Sequence, residues 1–153
     1  SCLAVSVYTR VELLKKNWLP ILVGCTVGAL TSMGSVYLLC RLFGLDEALT
    51  NSLIPKSVTT PIAVGISESH GGMVPVTVVA VIITGIMGSI LAPWLIRVFR
   101  VTDSMTAGLA IGACSHAVGT SKAIELGETE GAMSGLAIGI CGILTVLFSL
   151  IMG

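Results

Sequence analysis

The chain has 153 residues, of which 54% are hydrophobic and 16 are charged, eight basic and eight acidic, for a net charge of zero. Ordinary globular chains carry roughly a quarter charged residues, and a mean hydropathy of +1.02 belongs to chains whose solvent is lipid. These values weigh against a cytosolic enzyme and a nucleic-acid binder, and they imply an all-α integral membrane protein held in a lipid bilayer.

The opening, Ser1 to Tyr8, reads as the tail of an apolar helix rather than a charged signal-peptide start. The single transmembrane domain, residues 1–153, is therefore expected to lack helices that precede it. Residues 17–40, NWLPILVGCTVGALTSMGSVYLLC, carry no charge and reach about 36 Å as a helix, enough to cross a bilayer with some tilt. This is the first predicted span. Residues 46–70, DEALTNSLIPKSVTTPIAVGISESH, are helical at both ends but interrupted by Pro55, Lys56, Ser57, Thr59, Thr60 and Pro61. The second span, 69–96, ends on Trp94 at headgroup level and is followed by Arg97 and Arg100. Residues 103–128 repeat the interrupted plan, with Ser115, His116, Gly119, Thr120 and Ser121 at the centre. The third span, 131–153, aligns Gly131, Gly135, Gly139 and Gly142 on one stripe, which permits a close helix neighbour.

Offsetting the chain by 60 residues lays one interrupted segment on the other. Val58 meets Val118, Thr60 meets Thr120, Ala63 meets Ala123, Glu68 meets Glu128, Gly71 meets Gly131 and Met73 meets Met133, while Lys56 falls on His116. Paired interrupted helices in an internal repeat, here 46–98 and 103–152, are the pattern of secondary transporters. Charge sets the topology. Arg10, Lys15 and Lys16 precede the first span, Arg97 and Arg100 follow the second, and the positive-inside rule wants both clusters in the cytoplasm. That needs an even number of crossings between them, which holds if 46–70 is a re-entrant hairpin opening outward. Residues 103–128 then form an inverted hairpin opening inward, and the two polar tips meet at a cavity, where irregular backbone is tolerated.

Five cysteines, Cys2, Cys25, Cys40, Cys114 and Cys141, stand singly with no CxxC pair and no histidine at ligand spacing, so no disulfide, metal or cofactor is expected. Ser115 and His116 are adjacent, but sequence neighbours rarely face each other as nucleophile and base, and no activating Asp follows. An enzyme is not expected.

The segments SVTTPIAVGISE (57–68), SHAVGTSKAIELGETEGAMSGLA (115–137) and KNWLPIL (16–22) make the chain resemble the LrgB/CidB family of bacterial membrane proteins, whose plant relative is the plastid glycolate/glycerate translocator. The resemblance covers nearly the whole chain. It implies a multi-pass protein of the bacterial cytoplasmic membrane, or of the plastid inner envelope in a plant. It also implies a small LrgA/CidA-type membrane partner and either of two roles: transport of small carboxylates such as glycolate, glycerate or pyruvate, or antiholin-like control of murein hydrolase activity and lysis.

Each candidate residue has a functional and a bland reading. Lys56 is either an anion ligand or a lysine snorkelling or paired with Glu68. His116 is a ligand contact, a proton carrier or a core histidine satisfied by a hydroxyl. Thr59, Thr60, Thr120 and Ser121, with Ser57, Ser115 and Gly119 beside them, sit at the expected starts of second half-helices, where they either receive a carboxylate or simply cap. Glu68 and Glu125 are either proton-coupling carboxylates or surface groups, and Glu125 is placed to pair with Lys122. The expected function is alternating-access transport of a small organic anion at the two tips. The alternative is a holin- or antiholin-like regulator acting by oligomerisation. A homodimer built on the first span, through Gly24, Gly28 and Gly34, is expected for the transporter.

Overall fold

The structure, a computed structural model, describes residues 15–152; the expectations for Ser1 to Tyr8 and for Arg10 lie outside them. In chain order the elements are α1 (Trp18–Leu42), α2 (Glu47–Leu53), a 3₁₀ turn (Ile54–Ser57), α3 (Thr60–Ser69), α4 (Val74–Val98), α5 (Ser104–Leu126) and α6 (Glu128–Met152). No strand occurs among the described residues. Among the described residues three helices are long and apolar enough to cross a membrane: Trp18–Leu42, Val74–Val98 and Glu128–Ile151. They overlie the three charge-free windows, because hydrocarbon excludes charge and obliges each backbone to satisfy itself as helix. Their outward side chains, such as Val23, Val27 and Leu30 of α1 and Ile82, Ile83 and Ile90 of α4, are exposed apolar groups suited to lipid.

The two interrupted segments begin at acidic caps. Asp46 accepts from the Glu47 amide at 2.8 Å, and Asp103 accepts from the Thr106 amide at 2.8 Å and its hydroxyl at 2.5 Å. These Thr106 bonds favour the ionised form and hold the exposed Asp103 carboxyl below its ordinary range. A depressed folded-state value means that the cap stabilises above the unfolded-state value and is lost as pH falls through the folded one. Asp103→Ala is expected to cost about 0.5 kcal/mol, the lower end for caps because the site is open to solvent, and to remove that acid-limb contribution in melts followed by circular dichroism.

Helix directions follow from side-chain contacts. Cys141 of α6 bonds the Cys25 carbonyl of α1, and further along both helices Ser149 lines one cavity with Met33, Tyr37 and Arg41, so α1 and α6 run the same way. Thr77 of α4 bonds Ser67 of α3 at 2.7 Å, and Val81 packs with Ala63, so α4 runs against α3. Helix α5 is not straight. His116 has φ 41° and ψ −140°, and beyond it the chain turns back, so that Ile111 and Ala123 fall in one buried cluster with Ala92 of α4. In a straight helix these twelve residues would separate the two by about 18 Å. The reversal also seats Gly119 against Ser115 and Ile111.

The closest backbone approach is between α5 and α6. A Cβ on Gly108 would lie 2.9 Å from Glu130 Cα, and one on Gly112 would lie 2.8 Å from Ser134 Cα. The stripe expected on α6 is used differently: Gly131 meets Ile124, Gly142 meets Ile62, and a Cβ on Gly139 would meet nothing within 4 Å among the described residues. The small residues that let the helices touch are thus mainly on the partner helix. On α1, a Cβ added to Gly28 would lie 3.7 Å from Ala113, whereas one on Gly24 or Gly34 would meet nothing within 4 Å among the described residues.

Candidate functional site

Both interruptions meet one level of α4. In the first, the 3₁₀ turn closes on Pro55, and Val58 (ψ 174°) and Thr59 (ψ 146°) are extended before α3 begins at Thr60, with Pro61 in its first turn. Proline suits that first turn, where its missing N–H costs no helical bond, so Pro61 frames the break, while Pro55 (φ −82°, ψ 15°) is itself a kink within the 3₁₀ turn. Val58 is buried against Val81. In the second, the His116 ring lies over Gly85 and its Nε2–H donates to the Val81 carbonyl at 2.9 Å. A carbonyl can only accept, so the bond fixes the hydrogen on Nε2. The two breaks therefore share Val81, one through its side chain and one through its oxygen. Val81 lies roughly 10 Å into α4 from its start.

A left-handed φ at a residue other than glycine costs on the order of 1–3 kcal/mol and persists where its surroundings impose it. At His116 the surroundings are explicit. The ring is bonded to Val81, and the Thr120 hydroxyl bonds the His116 carbonyl at 2.9 Å and Ser134 Oγ at 2.7 Å. Ser115 is buried against Gly88 and Gly119, so Ser115 and His116 face different neighbours.

Lys56 is half-buried on the first tip. Its Nζ lies 3.5 Å from Ser57 Oγ, and Ser57 Oγ lies 2.6 Å from Ser32 Oγ of α1. Among the described residues Lys56 forms no ion pair; Glu68, its expected partner, is exposed at the other end of α3. Across from it stands the tip of α5, whose Ala113 lines one small pocket with Ser57. Lys56, Ser57 and Ser32 are thus brought together, with His116 holding the second tip in place.

Other expected residues are elsewhere. Thr59 and Thr60 are half-buried at the start of α3, but no side chain caps that helix. Thr120 and Ser121 lie a turn beyond the second break rather than on it, and Ser121 is exposed, with its hydroxyl 3.4 Å from the Ala117 carbonyl. The breaks themselves, at Val58–Thr59 and at His116, are closer in spacing than the 60-residue offset, so Lys56 precedes its break by two residues where His116 occupies its own. Glu125 is exposed and paired with Lys122 at 2.6 Å. Ser32 and Ser134, which sequence reading passed over, were signalled only by being hydroxyls inside apolar spans.

Two cavities adjoin the tips. A chamber of about 640 Å³ opens where α1 ends, lined by Arg41, Tyr37, Asn51 and His70 among others. A pocket of about 10 Å³ lies beside Ser57 and Val58, between α1, α5 and α6. His70 closes one wall of the chamber, its Nε2 3.1 Å from the Ser149 carbonyl, and Asn51 donates to the His70 carbonyl at 2.8 Å.

The Antiholin-like protein LrgB of Bacillus mycoides is 40% identical over 144 residues, which cover 94% of this chain and 63% of that protein. Proteins of the same name from Bacillus cereus and Bacillus anthracis are 39% identical with the same coverage. The chain thus spans less than two thirds of the length of these relatives. No solved structure matches. The LrgB-like family profile matches residues 2–153, and with that match and these identities the chain belongs to the LrgB-like family of membrane proteins.

Proposed function

We propose that the chain is the membrane core of an antiholin-like protein whose molecular activity is passage of small organic anions, of the glycolate, glycerate or pyruvate kind. The name carried by the relatives favours the antiholin-like role as the physiological outcome, and it does so more directly than it favours transport. The observation that carries the molecular reading is Lys56: a half-buried ammonium on an interrupted segment, with no ion-pair partner among the described residues. A cation at membrane depth is costly unless something offsets it, and a mobile carboxylate is a counter-ion that can come and go. The helix break at His116 supports the same reading, since the first amides of a new helical segment lack intrahelical acceptors and carry the positive end of its dipole.

In this reading, residues 46–70 and 103–128 are re-entrant hairpins of opposite orientation. Support comes from the helix directions: the first half of α5 runs with α6, Gly108 beside Glu130 and Gly112 beside Ser134, and against α4, where Ile111 clusters with Ala92 and Ser115 lies on Gly88, so α1 and α6 run one way and α4 the other, and each interrupted segment begins and ends on one side. Lys15, Lys16, Arg97 and Arg100 then share the cytoplasmic face. A homodimer and a small LrgA-like partner belong to the same proposal, and α1, with its exposed apolar face, is the scaffold helix. Purified full-length protein in proteoliposomes should take up labelled glycolate, lactate or pyruvate. If uptake matches that of empty liposomes while deletion of the gene still alters autolysis, the antiholin-like role stands without transport.

A further inference from the structure

The large chamber and the small pocket share two lining residues, Met33 of α1 and Ile54 of the 3₁₀ turn. The elements on either side step through both cavities in register. On α1, Arg41, Tyr37 and Met33 face the chamber, and Met33 and Ala29 face the pocket, successive residues four apart on one helical face. On α6, Ser149 lines the chamber, while Thr145 and Cys141 line the pocket at the same four-residue step. On the first interrupted segment, Asn51 lines the chamber, Ile54 lines both, and Ser57 lines the pocket. One track therefore runs from the end of α1 to the tip that carries Lys56.

We propose that these cavities are successive compartments of one permeation path, and that Met33 and Ile54 are the gate between them. The inference rests on the transport reading above. At about 640 Å³ the chamber is of small-molecule size. At about 10 Å³ the pocket holds about one water and no two- or three-carbon acid. The structure is thus a gate-closed state with its chamber open on the side where α1 ends. Both gate residues suit that duty. Apolar constrictions close pores by excluding water, and an unbranched thioether repacks readily when a neighbour moves. Arg41 is accompanied in the chamber by Asp46 and Glu47, so the chamber is not a basin of positive charge. Selection falls to the gate and the tip rather than to the mouth.

The test uses full-length protein in oriented membrane vesicles with its native cysteines replaced, and a membrane-impermeant anionic methanethiosulfonate. Asn51→Cys, in the chamber, should react quickly with reagent on the side where α1 ends. Ser57→Cys, beyond the gate, should react more slowly by on the order of tenfold or more. Ile54→Ala, alone or with Met33→Ala, should bring Ser57→Cys close to the chamber rate and leave Asn51→Cys unchanged, whereas Ile54→Phe should slow Ser57→Cys further. If the single alanine change leaves an unfolded protein, the phenylalanine arm decides alone. Equal rates at both positions with the native gate, or a Ser57→Cys rate indifferent to residue 54, overturns the proposal. These rates are read without substrate, so absence of carboxylate uptake would sink the transport reading while leaving the gate measurement intact.

Discussion

Gly112→Ala is expected to destabilise the protein more than any other single methyl addition discussed here. The added Cβ meets the carbonyl oxygen and Cα of Ser134 and the Ala137 side chain. Two of these are backbone atoms of α6, which cannot rotate away, so the helices must part along their shared length. Overpacking of this kind costs about 1–3 kcal/mol, and Ser134 stands at the upper end of that range because it also bonds Thr120 under the second tip. The expected result is a lower melting midpoint in detergent and loss of activity together. Gly139→Ala, where the added Cβ meets nothing among the described residues, is the control and should melt at or slightly above the parent, since alanine favours helix over glycine. Equal melting of the two variants would mean that α5 and α6 do not approach as closely as described.

Lys56→Met should have the largest effect on binding that leaves the fold intact. The ammonium is half-buried, bonded only weakly to Ser57 at 3.5 Å, and free of any ion pair among the described residues. Removing it therefore breaks little within the protein, and methionine retains most of the apolar stem. A hydrogen bond to a charged group contributes about 1.5–3 kcal/mol, so carboxylate affinity should fall roughly tenfold to a hundredfold at an unchanged melting midpoint. Unchanged affinity would remove Lys56 from the site.

The spans were legible in the sequence because lipid permits few solutions: charge-free windows at 17–40, 69–96 and 131–153 became α1, α4 and α6 with ends displaced by only a few residues. The interruptions were legible too, from Pro55 and Pro61 in one segment and the polar run Ser115 to Ser121 in the other. What the sequence could not show was direction. Nothing in the string says that the His116 ring turns to the Val81 carbonyl, because that bond depends on Gly85 being small on a helix 31 residues away. Nor could a glycine stripe on α6 reveal that Gly108 and Gly112 make the approach. Residue matching at an offset of 60 aligned types rather than backbone states, which is why Thr60 starts a helix while Thr120 lies inside one.

The opposed orientation of the two interrupted segments is the claim on which the shared tip site depends, and sided labelling tests it most directly. Ser69 closes the first segment at the last turn of α3, Glu125 lies in the last turn of α5, and both are exposed. In full-length protein with its native cysteines replaced, Ser69→Cys should react with an impermeant maleimide from outside the cell, and Glu125→Cys only after the cytoplasmic face is opened. Labelling of both positions from the same face would contradict the account.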